Sequence, residues 1–265
     1  MKLSKSNVNH FQDYLCLMIG FLKKLFEKPD LTPADLSVLH TDIHSHLLFS
    51  IDDGSQSLDE SIQLIEELMK FGYRRFITTP HIMGDFYRNS AETILPKLEV
   101  VRAELASRSI DVTIDAAAEY YLDFEFEDKL NKGEILTFGG NKLLFELSFI
   151  NAPDNLDSAI FKMQTKGYQP ILAHPERYLY WIGKWEKMEA LRDRGVWFQI
   201  NLLSIMGHYG GPCKKFAEDL IDRGWVELLG SDLHNMKHIE TFNRAISDKY
   251  LKKALSLASV KNNQY

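Results

Sequence analysis

His44 and His46 stand two residues apart in the stretch Thr41-Asp42-Ile43-His44-Ser45-His46. In an extended chain residues i and i+2 point to the same face. Both imidazoles therefore project one way, as a chelating pair requires. An HxH pair alone fits two polar residues at a strand mouth equally well, so the rest of the chain has to decide. Other residues able to ligate or transfer protons recur at the ends of short apolar runs: His81 after 75–79, Glu119 after 112–118, Glu146 after 142–145, His174 after 170–173, and Asp232 and His234 after 226–229. Asp53 lies in the first loop, in the acidic turn Asp52-Asp53-Gly54. The set is five imidazoles and four carboxylates. A zinc, manganese or iron ion takes roughly four to six ligands. Nine groups with a bridging carboxylate suit two or three ions.

Each residue has a plainer reading when taken alone. Glu119 fits a surface turn, His81 a helix cap and His174 a satisfied core histidine. Glu146, between Phe145 and Leu147, is harder to dismiss, because an unpaired carboxylate in an apolar strand is costly. Repetition at successive elements carries the ligand reading. His10, His40, His208 and His238 fall outside the pattern and read as ordinary, and neither cysteine falls at a strand end.

The elements that must position these residues alternate. An apolar run over 36–43 reads as the first buried strand. Ser57 with Glu60 makes a capping box for a helix whose apolar face is Ile62, Ile65, Leu68 and Met69, and Gly72 stops it. Six more short apolar strands follow at 75–79, 112–118, 142–145, 170–173, 196–200 and 226–229, with helices between them and in the tail. Such alternation implies parallel strands with right-handed crossovers. In an open sheet, strand ends meet only at a switch point. In a barrel all C-terminal ends converge on one mouth. Nearly every strand here ends in His, Glu, Asp or Asn, so the expected fold is α/β, a distorted seven-stranded (β/α) TIM-like barrel with the metal site at the strand ends.

At 265 residues and 45% hydrophobic, the chain suits one large domain over 37–265 behind an extension over 1–36. A net charge of −6 argues against a nucleic-acid partner. Cys16 and Cys213 offer no disulfide framework, which fits a reducing, cytoplasmic setting. The apolar run 11–26 carries Asp13, Lys23 and Lys24 and is too short and interrupted to span a membrane. It lacks signal-peptide features. It reads as a docking or frayed helix, or more sharply as one that touches a membrane surface or a partner. Met18 fits a start as well as Met1.

Taken together, His44-Ser45-His46, Asp53-Gly54, Thr79-Pro80-His81, Ala118-Glu119, Phe145-Glu146, Ala173-His174-Pro175-Glu176-Arg177 and Ser231-Asp232-Leu233-His234 resemble the PHP (polymerase and histidinol phosphatase) superfamily. Within it they look most like the bacterial tyrosine phosphatases of capsule and exopolysaccharide operons. The resemblance covers roughly 41–240. It implies a trinuclear site, usually assigned manganese, with two or three Mn2+ ions per chain and iron or zinc as alternatives. His44, His46, Glu119 and Asp232 would hold the first ion. Glu119, Glu146 and His174 would hold the second, with Glu119 bridging, and Asp53, His81 and His234 the third. Arg177 would bind the phosphate, and the catalytic residues would be Arg177, Asp53 and His81. The implied substrate is a phosphotyrosyl protein, namely a bacterial tyrosine kinase, and homo-oligomer formation is left open. Many superfamily members have a histidine where this chain has Glu146, which tilts the resemblance away from histidinol phosphatase.

Bound divalent ions would lower the pKa of water, and Arg177 would add a bidentate fork to the phosphoryl oxygens. An ion pair with Glu176 is its plainer reading. No Cys-x5-Arg loop is present, which excludes a cysteine nucleophile. Phe86, Tyr87, Tyr120, Tyr121, Tyr178 and Tyr180 are candidates to stack on a phosphotyrosine ring, and Asn201 to Ser204 to line the mouth. The competing readings are a small-molecule phosphatase such as histidinol phosphatase, a TatD or amidohydrolase-like metal hydrolase, and a non-catalytic regulator. The amidohydrolase reading expects a bridging lysine where Glu146 stands, and the nuclease reading expects a basic face.

Overall fold

The run expected to form the first strand is mostly a 3-10 turn. Asp35 caps Leu36–Leu39, its carboxylate accepting from the Ser37 N–H at 3.0 Å. Residues three apart eclipse in such a turn, so Leu36 and Leu39 bury together on one side. Only Thr41–Asp42 remains as β1. The structure, a computed structural model, describes residues 31–265, of which Pro33–Tyr265 forms one compact unit. The expected helix at 11–26, His10 and Cys16 lie outside the described residues.

The remaining strands are β2 Arg75–Thr78, β3 His81–Ile82, β4 Thr113–Ala116, β5 Glu119–Tyr121, β6 Lys142–Glu146, β7 Gln169–Ala173, β8 Trp197–Asn201 and β9 Leu228–Gly230. All paired neighbours are parallel, in the orders β1-β2-β4 and β3-β5-β6-β7-β8-β9. The division between the two sheets is local. Pro80 has no N–H to donate, and it falls in the gap between β2 and β3. Bonds from Ala117 N to Thr78 O (2.9 Å) and from Glu119 N to Pro80 O (3.1 Å) carry the pairing across. β2 with β3, and β4 with β5, thus form two long staves, and the staves number seven. Asp232 N donates to His44 O (2.8 Å) and His46 N to Leu233 O (2.9 Å), which closes the barrel between first and last staves. At the other end of this seam the Asn262 amide bonds Thr41 O and both Leu229 backbone groups.

Helices return the chain between staves: α1 Leu58–Lys70, α2 Ala91–Ser107, α3 Phe124–Lys132, α4 Leu156–Thr165, α5 Trp185–Asp193, α6 Leu202–Ile205 and α7 Gly211–Asp222. Two more, α8 Met236–Ala245 and α9 Lys249–Leu255, follow β9. Ser57 caps α1 as expected, its hydroxyl accepting from Glu60 N at 3.2 Å. Among the described residues no helix is long and apolar enough to cross a membrane.

Alternation along the strands sorts core from site. Leu143 and Phe145 join the large cluster under the helices, whereas Leu144 packs in a smaller one with Ile43, Ile77, Ile171 and Leu228. Glu146 is two residues beyond Leu144 and shares its inward face. The apolar layer therefore sits below, and the polar strand ends lie above it at the mouth.

Candidate metal centre

All nine expected ligands reach one space at the C-terminal ends of the staves. The histidine pair opens it. His44 Nδ1 is 2.7 Å from Gln199 Oε1, and His46 Nδ1 is 2.8 Å from Asp52 Oδ2. Each Nδ1 therefore donates, which turns each Nε2 toward the rest of the cluster. The two Nε2 atoms face each other at 3.4 Å. Glu119 Oε2 is 3.2 Å from one and 3.5 Å from the other, and Asp232 Oδ1 is 3.4 Å from both. Donor atoms this close need positive charge among them, carried by protonated imidazoles or by a bound cation. His44 Nε2, His46 Nε2 and Asp232 Oδ1, about 3.4 Å from one another, form a triangle whose corners can share one cation.

A second group surrounds Glu119, whose Oε1 is 2.8 Å from His174 Nε2. His81 Nδ1 lies 3.2 Å from both Glu119 Oε2 and Glu146 Oε1, yet it is buried without a hydrogen bond among the described residues. Two carboxylates and an unpartnered imidazole nitrogen fit a cation. Asp53 Oδ1 is 3.5 Å from both His81 Nε2 and His234 Nε2. The sets with donor atoms in mutual reach are His44, His46 and Asp232; His44, Glu119 and His174; His81, Glu119 and Glu146; and His46, Asp53, His81 and His234. His174 Nε2 is turned toward Glu119, at 2.8 Å, and is 3.9 Å from Glu146, which His81 Nδ1 approaches more closely.

The electrostatics match this layout. Burial alone would raise Glu119 and Asp232, but the imidazoles around them, His44 foremost, hold both well below the usual carboxylate range. Burial works against protonation of His81, yet Glu119 and Glu146 lift it to about 9. The cluster keeps Glu119, Asp232 and Asp53 ionised and draws positive charge to its centre. His174 and Asp232 also adopt left-handed backbone conformations, φ 35° and 51°, uncommon for residues with a Cβ.

Close backbone packing holds the first histidine in place. A Cβ on Gly230 would lie 2.6 Å from His44 Cβ and 2.7 Å from Gln199 Nε2. Gly230→Ala is therefore expected to destabilise the protein by about 1–3 kcal/mol and to lower its metal content. Thermal unfolding and elemental analysis check this, and no change in either would mean that His44 is free to shift.

Asp52 and Gln199 support the ligands and escaped the sequence reading, whereas Asn201 was expected at the mouth. Asp52 holds His46 and accepts from His81 N, while its neighbour Asp53 faces the imidazoles. Gln199 donates to Asn201, and Asn201 to Asp232 Oδ2, so one face of β8 ties His44 to Asp232. Alternation of Gln199 and Asn201 in an otherwise apolar strand was the available signal. Leu202 to Ser204 are buried in α6 and do not line the mouth.

Arg177 reaches the same space. Its Nη1 donates to Asp232 Oδ2 at 3.2 Å, and its guanidinium lies 4.3 Å from each of the Phe149 and Tyr209 ring centres. The Tyr209 hydroxyl donates to the same Oδ2 at 3.2 Å. Arg177 does not pair with Glu176. Glu176 is wholly buried and accepts from Asn201 N at 2.9 Å, and burial lifts its carboxyl from 4.5 to about 7. Its folded pKa is raised, so its contribution to stability is intact below about 4.5 and is lost as pH rises through about 7. In metal-free protein, Glu176→Gln should be more stable than wild type at pH 8 by on the order of 2–3 kcal/mol, with little gain at pH 5. Urea unfolding at both values tests this, and a gap that does not widen with pH contradicts it.

A cleft of about 500 Å³ leads to the cluster, and Tyr87, Tyr121, Phe149, Arg177, Tyr209 and His238 are among its walls. Tyr87 stacks on His81, with ring centres 5.5 Å apart. Tyr120 and Tyr178, expected at the mouth, are instead core residues whose hydroxyls accept from Leu136 N and Leu147 N. Glu119 and Tyr121 share one face of β5 and leave Tyr120 on the other. Phe86 points to solvent, and Tyr180 donates to Ser148 O. His238, read as ordinary, lines the cleft and accepts from His234 N at 3.3 Å.

Comparison with known proteins gives a consistent family. The tyrosine-protein phosphatase YwqE of Bacillus subtilis is 28% identical over 197 residues, covering 74% of this chain and 78% of that protein. The putative tyrosine-protein phosphatase CapC of Staphylococcus aureus is 26% identical, covering 74% and 77%. A solved chain from the pair YwqE of Bacillus subtilis and CpsB of Streptococcus pneumoniae, described as metal-dependent tyrosine phosphatases, superimposes with a TM-score of 0.71 at 24% identity, over 83% of this chain and 95% of that one. The zinc-containing histidinol phosphate phosphatase of Lactococcus lactis shares the fold more distantly, with a TM-score of 0.50, 15% identity and coverage of 82% and 94%. Residues 40–264 match the family described as capsular polysaccharide synthesis, CpsB/CapC, and the chain belongs to that family.

Proposed function

We propose that the protein is a metal-dependent phosphatase that hydrolyses phosphotyrosine in proteins. The observation that carries this reading is the placement of Arg177 against Asp232 at the edge of the nine-group cluster, within one cleft. The phosphatase names of the relatives support it. His44, His46, Glu119 and Asp232 are assigned to one ion, Glu119, Glu146, His174 and His81 to a second, and Asp53, His81 and His234 to a third. The nitrogen and oxygen donors, without a thiolate, suit Mn2+, with iron or zinc as alternatives. When bound, such ions lower the pKa of water and offset phosphoryl charge.

The protein's own groups do the positioning. Arg177, packed against the rings of Phe149 and Tyr209, offers a fork for two phosphoryl oxygens. Asp53 and His81 stand where the cleft meets the cluster and face the reacting group. Tyr87 and Tyr121 offer apolar faces to a phenyl ring. Among the described residues no lysine lines the cleft, which disfavours the amidohydrolase reading. We further propose residues 37–265 as the phosphatase domain with 1–36 as an extension, a cytoplasmic location, and a bacterial tyrosine kinase of capsule or exopolysaccharide synthesis as the substrate. The test is kcat/KM of the manganese-loaded protein on a phosphotyrosyl peptide and on histidinol phosphate. Strong preference for the peptide is expected, and the reverse preference would overturn the reading.

A further inference from the structure

Exposed large apolar side chains gather on one side of the mouth. Phe86, Phe124 and Ile150 are 76, 90 and 87% exposed, and Phe149, Leu179 and Ile182 are about half exposed. They lie on the segments that follow β3, β5, β6 and β7, consecutive neighbours in the sheet, with Phe124 at the first position of α3. The loops are tied together: Gly84 N donates to Asp123 Oδ2 at 2.9 Å, Tyr180 OH to Ser148 O at 2.9 Å, and Phe149 stacks on Tyr178. The result is an apolar crescent along four neighbouring strand ends, interspersed with the exposed charges of Asp85, Arg88, Glu125 and Lys184. Across the mouth, the loops after β8, β9 and β1 expose Ser50, Asp53, Gln56, His208 and Lys237, with no large apolar side chain exposed there among the described residues.

Such a patch, rimmed by polar groups, marks a binding surface. What covers it follows from its continuity with the cleft, since Phe149 and Ile150 belong to both. A phosphotyrosine inserted as far as Arg177 brings its own backbone and neighbouring residues onto these loops. We propose that the crescent seats the residues flanking the phosphotyrosine and selects protein segments in which those flanks are apolar. The inference rests on the phosphotyrosine reading and adds the kind of sequence that the site prefers.

The test uses manganese-loaded protein and two phosphotyrosyl peptides that differ only in the flanking residues, leucine and phenylalanine in one and serine and glycine in the other. Wild type should favour the apolar peptide by about tenfold in kcat/KM, about 1.4 kcal/mol, mostly through KM. Phe86→Ser with Phe124→Ser, and Leu179→Ser with Ile182→Ser, alter exposed side chains outside the cleft wall. Both double variants should lose that preference while p-nitrophenyl phosphate turnover is unchanged. Equal use of both peptides by wild type would overturn the crescent alone. So would variants that keep the preference but change from dimer to monomer in sedimentation, because the patch would then be a contact between copies. Turnover of p-nitrophenyl phosphate with neither peptide hydrolysed would overturn the phosphotyrosine reading, and the crescent with it.

Discussion

Glu119→Gln is expected to abolish turnover while the barrel stays folded. Glu119 faces four imidazoles, at 3.2 Å from His44 Nε2, 3.5 Å from His46 Nε2, 3.2 Å from His81 Nδ1 and 2.8 Å from His174 Nε2. It is wholly buried, so no solvent can replace its charge. Glutamine keeps the shape but turns one oxygen into an N–H donor that faces where a cation would sit. Removing merely an outer-shell partner of a metal ligand costs about 10–100-fold in affinity or activity. Loss of a shared carboxylate should exceed that, with at least one ion fewer per chain. The variant should still melt cooperatively, because its volume is unchanged and the apolar layer lies below. Wild-type turnover of an aryl phosphate by Glu119→Gln would show that this carboxylate holds no ion.

Arg177→Ala should leave metal content intact and reduce phosphotyrosyl turnover by on the order of 10²-fold or more, the scale for loss of a fixed electrostatic contact to the transition state. Metal content is spared because Asp232 Oδ2 keeps its bonds from Asn201 and Tyr209. Phosphoryl transfer spreads charge over three oxygens, and a planar fork packed against two rings can meet two of them. Lysine keeps the charge but loses the fork and the stacking, so Arg177→Lys should recover only part of the loss. Measuring kcat/KM on a phosphotyrosyl peptide with parallel elemental analysis settles the outcome. Unchanged turnover in Arg177→Ala would remove the phosphate-binding role.

The strand ends made the site legible. His44, His81, Glu119, Glu146, His174 and Asp232 each close a short apolar run, and parallel βα units can only deliver such residues to one mouth. Failures came where the governing contacts are long-range. Nothing local separates Asp52 from Asp53; the difference is that Asp52 faces His46 and His81 N, while Asp53 faces His81 and His234. Tyr120 was misplaced because a run of Glu-Tyr-Tyr does not reveal its phase until β5 is paired. Leu36 and Leu39 are as apolar as strand residues, yet they lie in a 3-10 segment capped by Asp35, so the first strand is shorter than its apolar run. Tyr209 lies on a loop between Gly207 and Gly210, both with positive φ, and its partner Arg177 is 32 residues earlier.

The central claim is that the cluster holds the ions on which phosphotyrosine hydrolysis depends. It is tested most directly by titrating chelator-stripped protein with Mn2+, following bound metal and phosphotyrosyl-peptide turnover in the same samples. The stripped protein should be inactive, and activity should return as two to three ions bind per chain, consistent with nine ligands and roughly four to six per ion including shared groups and water. Full activity in the stripped protein, or metal uptake without any phosphotyrosyl turnover, would contradict it.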